Sequence, residues 1–421
     1  MKIVNVTALD DTSPTTATEP SSRVAAFLQP RVGGFPRSFW TLWAGTLLNR
    51  LGTMVEPFLG LYLTTARGLS LGEAGIVMAI FGTGSIVGQL IGGSMADRIG
   101  RRATLSFSMV ATGLSMLALG YAQSVPAVVA AAVALGLTID MYRPASDAMV
   151  ADLISPAERP RAYGLLFWAI NLGFTFSMVL GGTLARQGYL TLFWIDAVTC
   201  VLFGVLVWRA LPETRPDKSK DDGEPGGFKD VLRDRLMVAC TLTMLAYTFV
   251  LMQCMTTMPL AMKEQGLGPA SYGVVIAVNG IVIVTVQPLV GAWLSRMNHS
   301  LVLSVGMAVV GVGFGMFAFA TSLWAYATIV LIWTIGEITV AAVAKALVAD
   351  LAPPHLRGRY GGLWGMAWSA GFLLAPLGGT RLLEIGAPAL WLTCGALGLV
   401  AGLSQWMLAP AIRRRADFSS H

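Results

Sequence analysis

The chain has 421 residues, of which 55% are apolar and only 12% charged, about half the charged share of a soluble globular protein. Its formal net charge of +6 comes from basic residues set between long apolar runs, so no nucleic-acid partner is expected. These proportions exclude an ordinary soluble enzyme and leave a polytopic membrane protein.

Residues 1–37, rich in Ser, Thr and Pro, read as a cytoplasmic N-terminal tail. Twelve apolar stretches of bilayer length follow. The first six lie at about 38–63, 73–95, 103–122, 126–151, 162–184 and 190–209, and the second six at about 236–262, 271–294, 300–320, 323–350, 359–382 and 389–409. Only a helix satisfies its own backbone in lipid over such lengths. The expected fold is therefore an all-α membrane protein with 12 transmembrane helices. Its parts would be a six-helix bundle at 38–209, a cytoplasmic linker at 210–235, a second bundle at 236–409 and a cytoplasmic tail at 410–421.

The two halves repeat each other. Val-Ala-Asp-Leu occurs at 150–153 and again at 348–351, and the same offset places Gly75 on Gly273, Gly82 on Gly280, Gln89 on Gln287 and Gly93 on Gly291. With one residue of slippage, Leu180-Gly-Gly-Thr183 meets Leu377-Gly-Gly-Thr380. One unit used twice in the same orientation predicts two bundles related by a pseudo-twofold axis along the membrane normal.

Orientation follows from Lys and Arg. With the N-terminus inside, 22 of the 29 basic residues fall in cytoplasmic segments and 4 in the outer loops. Both termini are thus expected in the cytoplasm of a cell whose inner or plasma membrane holds the protein. Cys200, Cys240, Cys254 and Cys394 sit inside spans and read as small apolar fillers. His299, His355 and His421 lie in loops or the tail, and no metal cluster or phosphate-cradling Gly-Lys-Ser/Thr sequence is present. No cofactor and no metal are expected.

Charges within the spans are the mechanistic signal, because each is expensive in lipid and faces a cavity or a partner. Span one carries Arg50 and Glu56, the latter beside Pro57, which can kink the helix. In span four, Asp140, Arg143 and Asp147 share one helical face. Span six adds Asp196, and span ten adds Glu337 and Lys345. Five acids against three bases predict a net negative cavity, suited to cations or protons. Glu56 and Glu337 are the sharper proton-coupling candidates, since no base is expected beside them; Asp140 and Asp196 complete that set. Arg50, Arg143, Asp147 and Lys345 form the expected charge network. Trp43, Phe58, Tyr142, Trp168, Asn171, Met252, Met255, Trp364 and Trp368 are candidates for an adaptable apolar lining.

Spans two and three are joined by Gly92-Gly93-Ser94-Met95-Ala96-Asp97-Arg98-Ile99-Gly100-Arg101-Arg102. Here the chain resembles the major facilitator superfamily, and its Arg143-Pro144 and Leu48-Asn49-Arg50-Leu51-Gly52 segments resemble the bacterial 12-helix drug:proton antiporter branch. The resemblance implies that the loop is a cytoplasmic latch of Gly93, Asp97, Arg98, Gly100, Arg101 and Arg102, in which Asp97 and Arg101 hold the outward-facing state. It also implies a Gly-Pro-x-x-Gly-Gly pattern in span five, where this chain has Ser177-Met178-Val179-Leu180-Gly181-Gly182.

The expected function is efflux of lipophilic or cationic small molecules by alternating access, in exchange for protons, by a chain that works as a monomer in the bilayer. Uptake of a specific metabolite or peptide is the alternative within transport. A non-transporting membrane sensor is the alternative from another class. An enzyme is not expected, since no nucleophile–base pair stands out.

Overall fold

A computed structural model describes residues 34–155, 158–214, 228–294, 297–352 and 357–419. In chain order the first half contains α1 (Arg37–Gly52), α2 (Val55–Leu61), α3 (Leu71–Arg98), α4 (Arg101–Tyr121), α5 (Val125–Ile139), α6 (Tyr142–Leu153), α7 (Arg159–Leu184) and α8 (Leu190–Ala210). The second contains α9 (Phe228–Arg233), α10 (Arg235–Thr256), α11 (Met258–Glu264), α12 (Pro269–Leu294), α13 (His299–Met316), α14 (Leu323–Leu351), α15 (Arg357–Ile385) and α16 (Ala387–Ser419). No strand occurs among the described residues. Ten helices among them are long and apolar enough to cross a membrane, counting α5 and α6 as one. The two other expected spans are helical as well, as α1 with α2 and as the 29-residue α15.

Three spans are broken, and each break has a proline just beyond it. Pro57, Pro144 and Pro259 follow the gaps α1/α2, α5/α6 and α10/α11 by a few residues. A proline has no N–H to return to the carbonyl four residues earlier, and its ring crowds that carbonyl. For Pro57 the freed carbonyl belongs to Thr53, and the Ser177 hydroxyl of α7 donates to it at 2.9 Å. The first span of each half breaks at the same dipeptide, Thr53-Met54 and Thr257-Met258.

Packing follows one scheme in both halves. In the first, α1 lies on α7 and α8, α3 on α5, and α4 on α8. In the second, α10 lies on α15 and α16, α12 on α14, and α13 on α16. Small residues permit the tightest of these approaches, as where Gly84 meets the backbone of Gly136 and Gly311 that of Gly398. The four cysteines are free and buried, as fillers should be.

Between the halves, α3 crosses α15, and α7 crosses α12. The repeat-related glycines sit at these crossings. A β-carbon on Gly75 would meet the Thr380 side chain and, at 3.0 Å, the Pro376 carbonyl; one on Gly82 would stand 3.3 Å from the Phe372 carbonyl. Gly273 likewise faces Met178 and Gly182, and Gly280 faces Thr175. All these contacts lie in the halves of the helices remote from the loop at Gly100. Toward that loop the helices part: Gly164 on α7 and Gly361 and Gly365 on α15 have open space where a side chain would point. Among the described residues the halves thus meet tightly at one end, with open space beside these glycines toward the other.

Because the seal is backbone against glycine, bulk there should pry it apart. Gly273→Val is expected to lower thermal stability by about 1–3 kcal/mol, the usual cost of overpacking. It should also increase thiol labelling of cysteines placed in the sealed halves of α7 and α12; unchanged labelling would show that this crossing does not form the seal.

Candidate functional site

In the first half, α1, α2, α4, α5, α6 and α8 line a partly open cavity of about 20 Å³, room for one water. Asn49, Arg50, Thr53, Glu56, Thr112, Asp140, Tyr142, Arg143, Asp196 and Cys200 line it together with the apolar Met109, Met116 and Ile139. Arg143 pairs with Asp140 three residues before it, with Nε 2.5 Å from Oδ1, while the Ser85 hydroxyl of α3 donates to the other carboxylate oxygen. The Arg50 guanidinium donates to the Tyr142 hydroxyl. Two buried donors, Arg50 Nε and the Thr112 hydroxyl, have no partner among the described residues.

The surroundings of Glu56 differ from the sequence expectation. It shares the cavity with two guanidiniums, Arg50 and Arg143, and with the carboxylates of Asp140 and Asp196. Sequence spacing could not show this, because the breaks in spans one and four bring together residues almost ninety positions apart. With every group ionised the cluster carries three negative and two positive charges. One proton or one monovalent cation would neutralise it, which matters where little water screens the charge.

Asp196 is 2% exposed and fully engaged. Its Oδ2 accepts from the backbone N–H of Met54 and of Val55, both at 3.2 Å. Its Oδ1 is 3.7 Å from Cys200 Sγ, which in turn accepts from Asn49 at 3.2 Å. Asp196 therefore caps the second piece of span one, a structural use that fits its place in span six, outside the expected cavity lining.

In the second half, Glu337 on α14 accepts a 2.7 Å hydrogen bond from the Asn279 amide of α12, and that amide also reaches Thr334 at 3.0 Å. A neutral amide, rather than a base, holds this acid. Tyr247 and Cys254 of α10 lie within its electrostatic reach. The side chain of Lys345 lies outside the described residues.

The loop between α3 and α4 is tied down by the chain that leaves α8. Gly100 adopts φ +108°, a left-handed conformation that a β-carbon would strain, and stands at the N-cap of α4. The Glu213 carboxylate accepts from the N–H of Arg101 at 2.7 Å and of Arg102 at 3.2 Å. Arg101 pairs with Asp152 at 3.1 Å and donates to the Ala96 carbonyl at 2.9 Å. Arg102 stacks over Trp208, 4.9 Å from its ring centroid. Glu213 and Asp152 are partners that the sequence reading missed; acids just after spans six and four were the available signal. Arg98 and Asp147 are exposed, Gly93 packs near Pro144, and the side chain of Asp97 lies outside the described residues.

The aromatic candidates divide by position. Trp43 stacks on Trp168 at 6.5 Å and donates to the Leu165 carbonyl. Trp168 is exposed and Asn171 half-buried on α7, and Trp368 stands edge-on to Tyr247. Phe58, Met252 and Trp364 are packed into the hydrophobic core, Phe58 edge-on to Tyr272 across the seam between the halves. Met255 lies partly buried beside the Tyr272 hydroxyl.

A helical membrane protein with duplicated packing, whose halves meet tightly at one end, has the architecture of a transporter. The family model of the Major Facilitator Superfamily matches residues 42–376 and 254–420, and the chain belongs to that superfamily. It is 24% identical to a Na(+), Li(+), K(+)/H(+) antiporter of Planococcus maritimus over 86% of this chain and 93% of that one. It is 25% identical to the multidrug resistance protein MdtH of Klebsiella pneumoniae over 75% and 80%. A crystal structure of a POT family transporter in complex with a thioalcohol-conjugated peptide superposes with a TM-score of 0.79 at 14% identity, covering 91% of this chain and 98% of the other.

On the membrane face that carries the Gly100 loop, Asp234 caps α10 through Leu236 and Met237 and binds Arg415 at 2.6 Å and the Tyr360 hydroxyl at 2.7 Å. Burial pushes its carboxyl up, but the hydrogen bonds from Tyr360 and Arg415 outweigh this and hold it below the usual range. A depressed carboxyl stabilises the fold above its unfolded pKa, and that stability is lost as pH falls through the folded one. Asp234→Asn, which keeps the cap, should cost about 1 kcal/mol at neutral pH. The difference from wild type should vanish as pH drops through the carboxylate range, read by thermal unfolding across pH.

Proposed function

We propose that this protein is a secondary active transporter that exports lipophilic or cationic small molecules across the inner membrane in exchange for protons. The two six-helix units at 38–209 and 236–409 would rock about the interface between them, with both termini in the cytoplasm and the Gly100 loop as the latch on that side. The observation that carries this reading is a pair of half-buried acids within the spans, one in each half. Glu337 is held by an uncharged amide, and Glu56 belongs to a cluster with one acid in excess. Each can lose its proton when a cation or a conformational change alters its surroundings. The stacked Trp43 and Trp168 of α1 and α7 suit flat apolar compounds, and the name of the MdtH relative agrees with that use.

A second reading has its own support. A 20 Å³ cavity lined by three carboxylates fits one small cation better than it fits a drug, and one relative is named for alkali-cation and proton exchange. In that case the same cluster would alternate between a proton and a monovalent metal ion.

The test is transport in proteoliposomes under an imposed pH gradient, with ethidium as the lipophilic cation and K⁺ as the alternative cargo. Glu337→Gln is expected to cut gradient-driven flux at least about tenfold, the scale on which a lost proton-transfer group acts, while leaving the fold intact. Wild-type flux in Glu337→Gln would remove the coupling role, and flux of K⁺ but not ethidium would select the second reading.

A further inference from the structure

The break in span one is built differently from its counterpart in span seven. At Thr257-Met258 the local polar groups are served by neutral side chains. Gln253, fully buried, accepts from the Thr257 hydroxyl at 2.7 Å and donates to the Ala375 carbonyl at 3.2 Å. At Thr53-Met54 the carbonyl freed by Pro57 is served by Ser177, but the two N–H groups that open α2 are served by one oxygen of an acid, Asp196. Asn49 precedes Thr53 by four residues as Gln253 precedes Thr257, yet its amide turns to Cys200 and so supports Asp196. Gly52 lets α8 come this close, since a β-carbon there would run into Thr199. Span twelve, which packs on span seven as span six packs on span one, carries no acid between Ala387 and Met407.

The groups held by Asp196 lie next to Glu56. Val55 is its chain neighbour, and the whole of α2 is only seven residues long. Fixing the N–H of Met54 and Val55 therefore fixes where the Glu56 side chain leaves the backbone. We infer that Asp196 is a positioning residue: by clamping the break in span one to span six, it sets the place of Glu56 among Arg50, Asp140 and Arg143. This rests on the reading of Glu56 as a proton site. The charged and titratable groups around the clamp are Glu56 and Arg50 from span one, Cys200 from span six, and Asp140, Tyr142 and Arg143 from span four. If the break slipped, the distances from Glu56 to both guanidiniums would change, and with them the pH at which it titrates.

The experiment uses the full chain in lipid nanodiscs and needs no transported compound. Difference infrared spectroscopy across pH follows the carboxyl C=O stretch of protonated acids, and subtraction of Glu56→Gln assigns the band of Glu56. Asp196→Asn keeps an acceptor oxygen and removes only the charge, so it should move the midpoint of that band much less than loss of the acceptor does. Asp196→Leu has similar size and no acceptor, and should move the midpoint by about 1 unit, the low end of a neighbouring charge's effect on a carboxyl. Hydrogen exchange at the amides of Met54 and Val55 should accelerate at least about tenfold in Asp196→Leu, as expected when a hydrogen bond worth roughly 1.5 kcal/mol or more is lost, and stay near wild type in Asp196→Asn. A Glu56→Gln spectrum identical to wild type would remove the Glu56 reading and this inference with it. Loss of the Glu56 band together with an unshifted Asp196→Leu midpoint would overturn the inference alone. So would an Asp196→Asn variant that shifts as far as Asp196→Leu, because charge rather than acceptor geometry would then be responsible.

Discussion

A chain that crosses lipid must satisfy each backbone N–H and C=O internally, and this constraint governs the molecule. It makes the spans helical, and it turns every proline inside a span into a demand on a neighbouring helix. Pro57 frees the Thr53 carbonyl, so Ser177 of span five must answer it; the next turn begins with two open N–H groups, so Asp196 of span six must answer those. At this break polar side chains gather around the opened backbone. The cavity around Glu56 exists because two such breaks, in spans one and four, face each other.

The glycine crossings supply the second constraint. Where α3 meets α15 and α7 meets α12, the helices touch backbone to side chain with no β-carbon between them. Packing of that kind is gained or lost over a few tenths of an ångström, which suits a seal that opens as a unit rather than by degrees. At the other end each half carries its own polar ties: Glu213 and Asp152 on the Gly100 loop, Asp234 with Arg415 and Tyr360 in the second half. These ties hold helices within a half.

The duplicated unit has diverged in its chemistry more than in its packing. The neighbour scheme of helices is the same in the two halves, and the breaks fall at the same Thr-Met pair. Yet the first half gathers five charged side chains around one cavity, whereas the second offers Glu337 with an amide partner.

Much of this was legible in the sequence, because the bilayer imposes length and hydropathy on every span and duplication leaves matching glycines at matching offsets. Gly75, Gly82, Gly273 and Gly280 were identifiable as repeat partners from their spacing alone, and each proved to be a crossing point. The Asp140–Arg143 pair was legible, since residues i and i+3 share a helical face; the partners that other spans bring to each charge were not. Glu56 looks remote from any base until span four is seen to lie beside span one. Helical periodicity describes neighbours within a helix, and so it determined the membrane fold, the repeat and the set of buried charges. The pairing of those charges across spans was decided only by tertiary structure, because it depends on where broken helices end and on what the adjoining helices present there.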